Sequence, residues 1–86
     1  MRKLYFNYKK SVEFYEKATK MGNTEALYAL GELYYNGCGV EQNYEKAVEL
    51  YRKAAQLGNT SAQNALGNAY IEGKGVEENN VNNYFF

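Results

Sequence analysis

From Asn43 to Leu57 apolar side chains return every three or four positions, at Tyr44, Ala47, Val48, Tyr51, Ala54, Ala55 and Leu57. That spacing is one face of an amphipathic helix. Glu45, Lys46, Glu49, Arg52, Lys53 and Gln56 occupy the opposite face, where Glu49 and Lys53 form an i,i+4 pair worth a few tenths of a kcal/mol. Asn43 stands at the N-cap position and Gly58 follows the last apolar residue, where a left-handed cap is expected. Asn59 and Thr60 then offer a second N-cap. Ala62, Ala65, Leu66, Ala69, Tyr70 and Ile71 predict another helix, running to about Glu72. With only Gly58 and Asn59 between them, the two helices fold back as an antiparallel hairpin.

The same pattern occurs twice. Residues 7–42 align with 43–78 without a gap, with about 20 of roughly 36 positions identical. Asn7 to Met21 and Thr24 to Asn36 are therefore predicted as a first hairpin, with Gly22 and Asn23 at its turn. Gly37 to Gln42 and Gly73 to Glu78 link each hairpin to the next. The predicted fold is all-α, an α/α superhelix (solenoid) of two antiparallel hairpins with four main helices. Residues 1–6 read as a linker remnant, with Leu4 in the place of Val40. Residues 79–86 read as the start of a degenerate third unit or a disordered tail, because asparagines are poor helix formers. Neither end has the polar cap expected of a terminal unit, so the chain is either a piece of a longer array or self-associates through its uncapped ends.

Gly31 and Gly67 fall inside predicted helices, where glycine costs about 1 kcal/mol relative to alanine. Close approach of a large side chain from the preceding helix, Tyr15 or Tyr51, offsets that cost in the expected packing. On this basis Gly67→Leu is expected to lower thermal stability.

Each unit carries a common string: Ala26, Leu30, Gly31, Tyr34, Gly37, Gly39 and Val40, then Lys46, Ala47, Tyr51, Lys53, Ala54, Ala55 and Gly58. Ala62, Leu66, Gly67 and Tyr70 repeat its first part. The string resembles the Sel-1-like repeat, a relative of the tetratricopeptide repeat. A tetratricopeptide unit has about 34 residues and ends in proline, whereas this chain has no proline and carries a longer Gly-x-Gly-Val linker. In the family's register one complete unit spans Asn23 to Gly58. The resemblance implies a right-handed superhelix acting as an adaptor, in families linked to signalling, assembly of membrane-associated quality-control complexes and bacterial host interaction. Some relatives are cysteine-rich proteins described as β-lactamase-like, but their paired cysteines are missing here.

Composition narrows the chemistry. Ten basic and ten acidic residues balance within 86, so no broad basic field points to nucleic acid. The longest apolar runs are far short of the roughly 20 residues that span a bilayer, and the first ten residues hold no signal-peptide core. A single cysteine fits a reducing compartment, so a soluble cytoplasmic protein is expected. His and Asp are absent. Cys38 thus has no histidine base to activate it, and its counterpart in the second copy is Lys74. Gly37-x-Gly39 and Gly73-x-Gly75 lack the third glycine and the preceding strand of a dinucleotide loop. Glu77 and Glu78 alone make a weak cation site. No catalytic residue, metal or cofactor is expected.

The expected function is a non-catalytic protein–protein interaction module, an adaptor or scaffold whose partner is a protein or peptide. The alternatives are a β-lactamase-like hydrolase and a self-assembling spacer. Positions that build the stack should repeat, and positions facing a ligand are free to differ. Leu27/Gln63, Tyr28/Asn64, Glu32/Asn68 and Tyr35/Ile71 differ. Tyr28, Glu32, Tyr35, Asn64, Asn68 and Ile71 are therefore the candidate partner-binding strip, on the helices expected to line the concave side. Ala26/Ala62, Leu30/Leu66, Gly31/Gly67, Tyr34/Tyr70 and Tyr15/Tyr51, with Gly37, Gly39, Ala47, Ala54 and Gly58, are assigned to the stack.

Overall fold

The computed structural model describes residues 7–76. They form four α-helices of 13 residues each: α1 Tyr8–Lys20, α2 Thr24–Asn36, α3 Tyr44–Gln56 and α4 Thr60–Glu72. The expectations for residues 1–6, for Glu77–Glu78 and for 79–86 lie outside the described residues.

An asparagine opens every helix. The side-chain oxygens of Asn7, Asn23, Asn43 and Asn59 accept from the amides of Lys10, Ala26, Lys46 and Ala62, at 3.2, 3.0, 3.0 and 2.8 Å. Each bond satisfies one otherwise unpaired donor of the first turn. Asn59→Ala is expected to destabilise the chain by about 1 kcal/mol, read as a lower midpoint in thermal unfolding followed by circular dichroism. The Gly-Asn dipeptides divide two tasks. Gly22 and Gly58 close α1 and α3 with φ of 85° and 94°. The amides of Asn23 and Asn59 reach back to the carbonyls of Ala18 and Ala54, the six-residue closure of a Schellman turn. The asparagine that completes one helix end thus begins the next helix, which forces the tight reversal.

The Gly-x-Gly linkers owe their second glycine to close approach. A Cβ on Gly39 would lie 2.6 Å from the carbonyl carbon of Tyr8, and one on Gly75 would collide with the Tyr44 carbonyl oxygen and sit 2.7 Å from Val48 Cγ2. Each linker therefore crosses the first turn of the helix that opens its own unit. Asn43 secures the first linker by donating its amide to the Tyr34 carbonyl at 2.9 Å.

Successive helices pack on one another, α2 against α3 most extensively. Val12, Leu27, Leu30, Leu50, Ala54 and Ala62 form the core, with Tyr15, Tyr28, Leu33 and Tyr34 packed around it. Ala47, Ala54, Ala62 and Ala69 are completely buried, and these small residues mark where helices come closest.

The two helical glycines have different surroundings, which corrects the sequence expectation. Tyr51 does cover a glycine, but it is Gly31: a Cβ there would lie 2.8 Å from Tyr51 Cε1. The covering ring comes from the following helix, not the preceding one. Among the described residues no heavy atom lies within 4 Å of a Cβ placed on Gly67, so none of them gives the expected loss of stability in Gly67→Leu a packing basis. The physical reason is direction. Gly31 faces the helix that begins the next unit, and no described helix follows α4.

A candidate interaction surface

Tyr28, Glu32 and Tyr35 follow one another along one side of α2, at spacings of four and three residues. They meet α3 rather than solvent alone. The Tyr51 ring lies with its centroid 5.9 Å from those of both Tyr28 and Tyr35, and Tyr35 meets Tyr44 edge to face at 4.9 Å. Such offset and tilted pairs suit the quadrupoles of the rings. Tyr51 is 1% exposed, while Tyr28, Tyr35 and Tyr44 are half-buried.

Two carboxylates hold the hydroxyls. Hydrogen bonding to Glu32, followed by burial, raises the pKa of Tyr28. Burial raises Tyr51 furthest, with the charge of Glu32 adding to it. Tyr35 donates to Glu72 Oε1 at 2.6 Å, and burial followed by that bond pushes its pKa up to about 12. Lys74 lies 3.9 Å from Glu72 Oε1 and 5.3 Å from the Tyr44 ring centroid. The end of α4 is thereby tied to the tyrosine cluster.

The sign of the pH dependence follows. An unfolded tyrosine titrates near 10, below the folded value of Tyr35. The associated stability is complete below that pH and is lost as pH rises through the folded pKa. Unfolding free energy is expected to fall between about pH 10 and 12, and to fall less steeply in Tyr35→Phe. Equal slopes in denaturant titrations of the two proteins would contradict this assignment.

The other half of the strip is open. Asn64, Asn68 and Ile71 are exposed on α4, Ile71 by 82%. The six predicted residues thus separate into a hydrogen-bonded tyrosine cluster on α2 and an uncovered polar and apolar face on α4. Sequence reasoning missed Tyr44, Tyr51 and Glu72 as members of the cluster. Tyr51 matches Tyr15 in the duplication and so reads as a stack residue, whereas Glu72 aligns with Asn36, a difference that is a usable signal.

A concavity of about 760 Å³ lies between α1 and α3, with Leu27, Leu30 and Tyr34 of α2 among its lining and Lys20, Lys46 and Lys53 around it. Lys46 sits 6.0 Å from the Tyr34 ring centroid. Cys38 is half-buried in the linker, and its amide donates to the Leu33 carbonyl. Among the described residues no group of His, Cys, Asp and Glu is arranged to hold a metal, and no helix is long and apolar enough to cross a membrane.

The family model for the Sel1 repeat matches residues 3–23, 24–59 and 60–82. Its complete middle match is offset by one residue from the Asn23 to Gly58 unit. Among solved structures, the chain is similar to a protective antigen present in uropathogenic Escherichia coli strains and displaying an SLR fold. The two share 38% identity with a TM-score of 0.79, over 81% of this chain and 15% of that one. This chain therefore corresponds to a small part of the antigen's length. No curated protein matches it. The fold is an all-α helical repeat, and three consecutive matches running along nearly its whole length leave one assignment: the chain belongs to the Sel1 repeat family.

Proposed function

We propose that this chain is a non-catalytic adaptor whose partner, a protein or peptide, docks along the side of α2 and α4 that carries Tyr28, Glu32, Tyr35, Asn64, Asn68 and Ile71. Sel1 repeats are commonly protein-interaction modules. The observation that carries the reading is the junction at Tyr35 and Glu72, where the packed tyrosine cluster is hydrogen-bonded to the residue next to the exposed Ile71. Tyrosines held in place by neighbours offer large amphipathic contact area with little rotamer entropy left to lose, and interface centres are enriched in them. Ile71 supplies an apolar anchor, and Asn64 and Asn68 supply donors and acceptors for a partner's backbone. The hydrolase alternative has no comparable support, because the chain lacks histidine and Cys38 lies in a linker.

The test is capture from a native proteome by the immobilised chain, repeated with the Asn64→Ala/Asn68→Ala/Ile71→Asp variant. These positions are exposed, so the fold is expected to persist by circular dichroism. Loss of a captured protein other than the chain itself is the expected result. Undiminished capture by the folded variant would contradict this surface.

A further inference from the structure

The duplication makes the buried α2–α3 interface a template for the two outer faces of the described helices. By register α1 is equivalent to α3, and α4 to α2. The residues with which α3 meets α2 are buried: Ala47, Leu50, Tyr51 and Ala54 are 0 to 6% exposed. Their equivalents on α1 are Ser11, Phe14, Tyr15 and Ala18, and Phe14 is 65% exposed where Leu50 is 6%. On the other side Leu30 and Gly31 are buried beneath α3, whereas Leu66 is half-buried and Gly67 is exposed, with no described heavy atom within 4 Å of a Cβ placed on it. One end carries the ring and the other carries the slot.

We propose that the chain associates head to tail with a second copy of itself, α1 of one copy covering α4 of the next as α3 covers α2. Tyr15 of the incoming copy takes the place of Tyr51 and seats on Gly67. Phe14 takes the place of Leu50 against Leu66 and Gln63, and Ser11 is small enough to take the place of Ala47 beside the glycine. The contact is heterologous, with α1 and α4 contributing different faces, so association through it extends beyond a dimer unless it closes into a ring. The occupant is identified by the internal interface, which displays the same complementary pair within one chain.

Sedimentation of the 86-residue chain from micromolar to millimolar concentration tests this. The average mass is expected to rise with concentration past that of a dimer. Phe14→Glu blocks one face and Gly67→Arg blocks the other, and each variant alone is expected to stay monomeric. Mixed in equal amounts, they are expected to form a dimer and nothing larger, because one intact pair of faces remains. Should Phe14→Glu fail to fold, Ser11→Arg blocks the same face. A wild-type chain that stays monomeric throughout, a single variant that still associates, or a mixture that does not dimerise would each overturn the proposal. Phe14 lies outside the proposed partner strip, so Phe14→Glu separates the two ideas: it is expected to abolish self-association and leave capture of a different protein intact.

Discussion

Gly31→Ala is expected to destabilise the chain and Gly67→Ala to stabilise it, although the two glycines occupy the same place in the duplicated sequence. A methyl group on Gly31 would lie 2.8 and 2.9 Å from two carbons of the Tyr51 ring and 3.3 Å from the Ala47 carbonyl oxygen. The ring is 1% exposed and packed against Tyr28 and Tyr35, so it has little room to retreat. Overpacking of this kind costs about 1 to 3 kcal/mol, which exceeds the gain of about 1 kcal/mol in helix propensity. At Gly67 no described residue opposes that gain within one chain, so the comparison is made at concentrations where the chain is monomeric. Melting temperatures should move in opposite directions, and Gly31→Leu should fall furthest. A domain of this size has a total stability of only about 4 to 13 kcal/mol, so the larger substitution can unfold it at ordinary temperature.

Tyr51→Ala is expected to be among the most damaging single changes, at about 3 to 5 kcal/mol for loss of a buried aromatic ring. It removes the largest fully buried side chain, empties the space above Gly31 and takes away two ring contacts. Tyr51→Phe keeps the ring and loses only the hydroxyl near Glu32, with an expected effect of about 1 kcal/mol. Tyr15→Ala is the internal control. The same residue type at the matching position is only half-buried, and its removal should shift the urea midpoint by clearly less. Equal shifts for Tyr15→Ala and Tyr51→Ala would mean that the two tyrosines have equivalent surroundings.

The helices were legible because their boundaries are written in local chemistry. Asparagine and glycine at each turn place both ends of α1 and α3 within one residue, and α2 and α4 stop at the glycines that begin the linkers. What the sequence did not carry was the identity of neighbours across helices. Gly31 and Gly67 read alike, and only the arrangement of helices distinguishes the covered glycine from the bare one. The Gly-x-Gly segment reads only as a linker between hairpins, yet its second glycine is required by the backbone of Tyr8 or Tyr44. The candidate strip shows the same limit. Differences between the copies pointed to Tyr28, Glu32 and Tyr35, but their principal contact is Tyr51, a residue common to both copies. Tyr35 and Glu72 are 37 positions apart, and no periodicity predicts their bond. Positions that build the stack and positions that present a surface are therefore not separate sets.

The tyrosine of one unit seated on the glycine of the unit before it is the contact on which this description of the stack depends. A double-mutant cycle of Gly31→Ala and Tyr51→Ala, measured by equilibrium unfolding, reads that contact directly. Gly31→Ala should destabilise the wild-type chain but become neutral or favourable once the Tyr51 ring is gone, with a coupling above about 1 kcal/mol. Effects that add to within about 0.5 kcal/mol would contradict it.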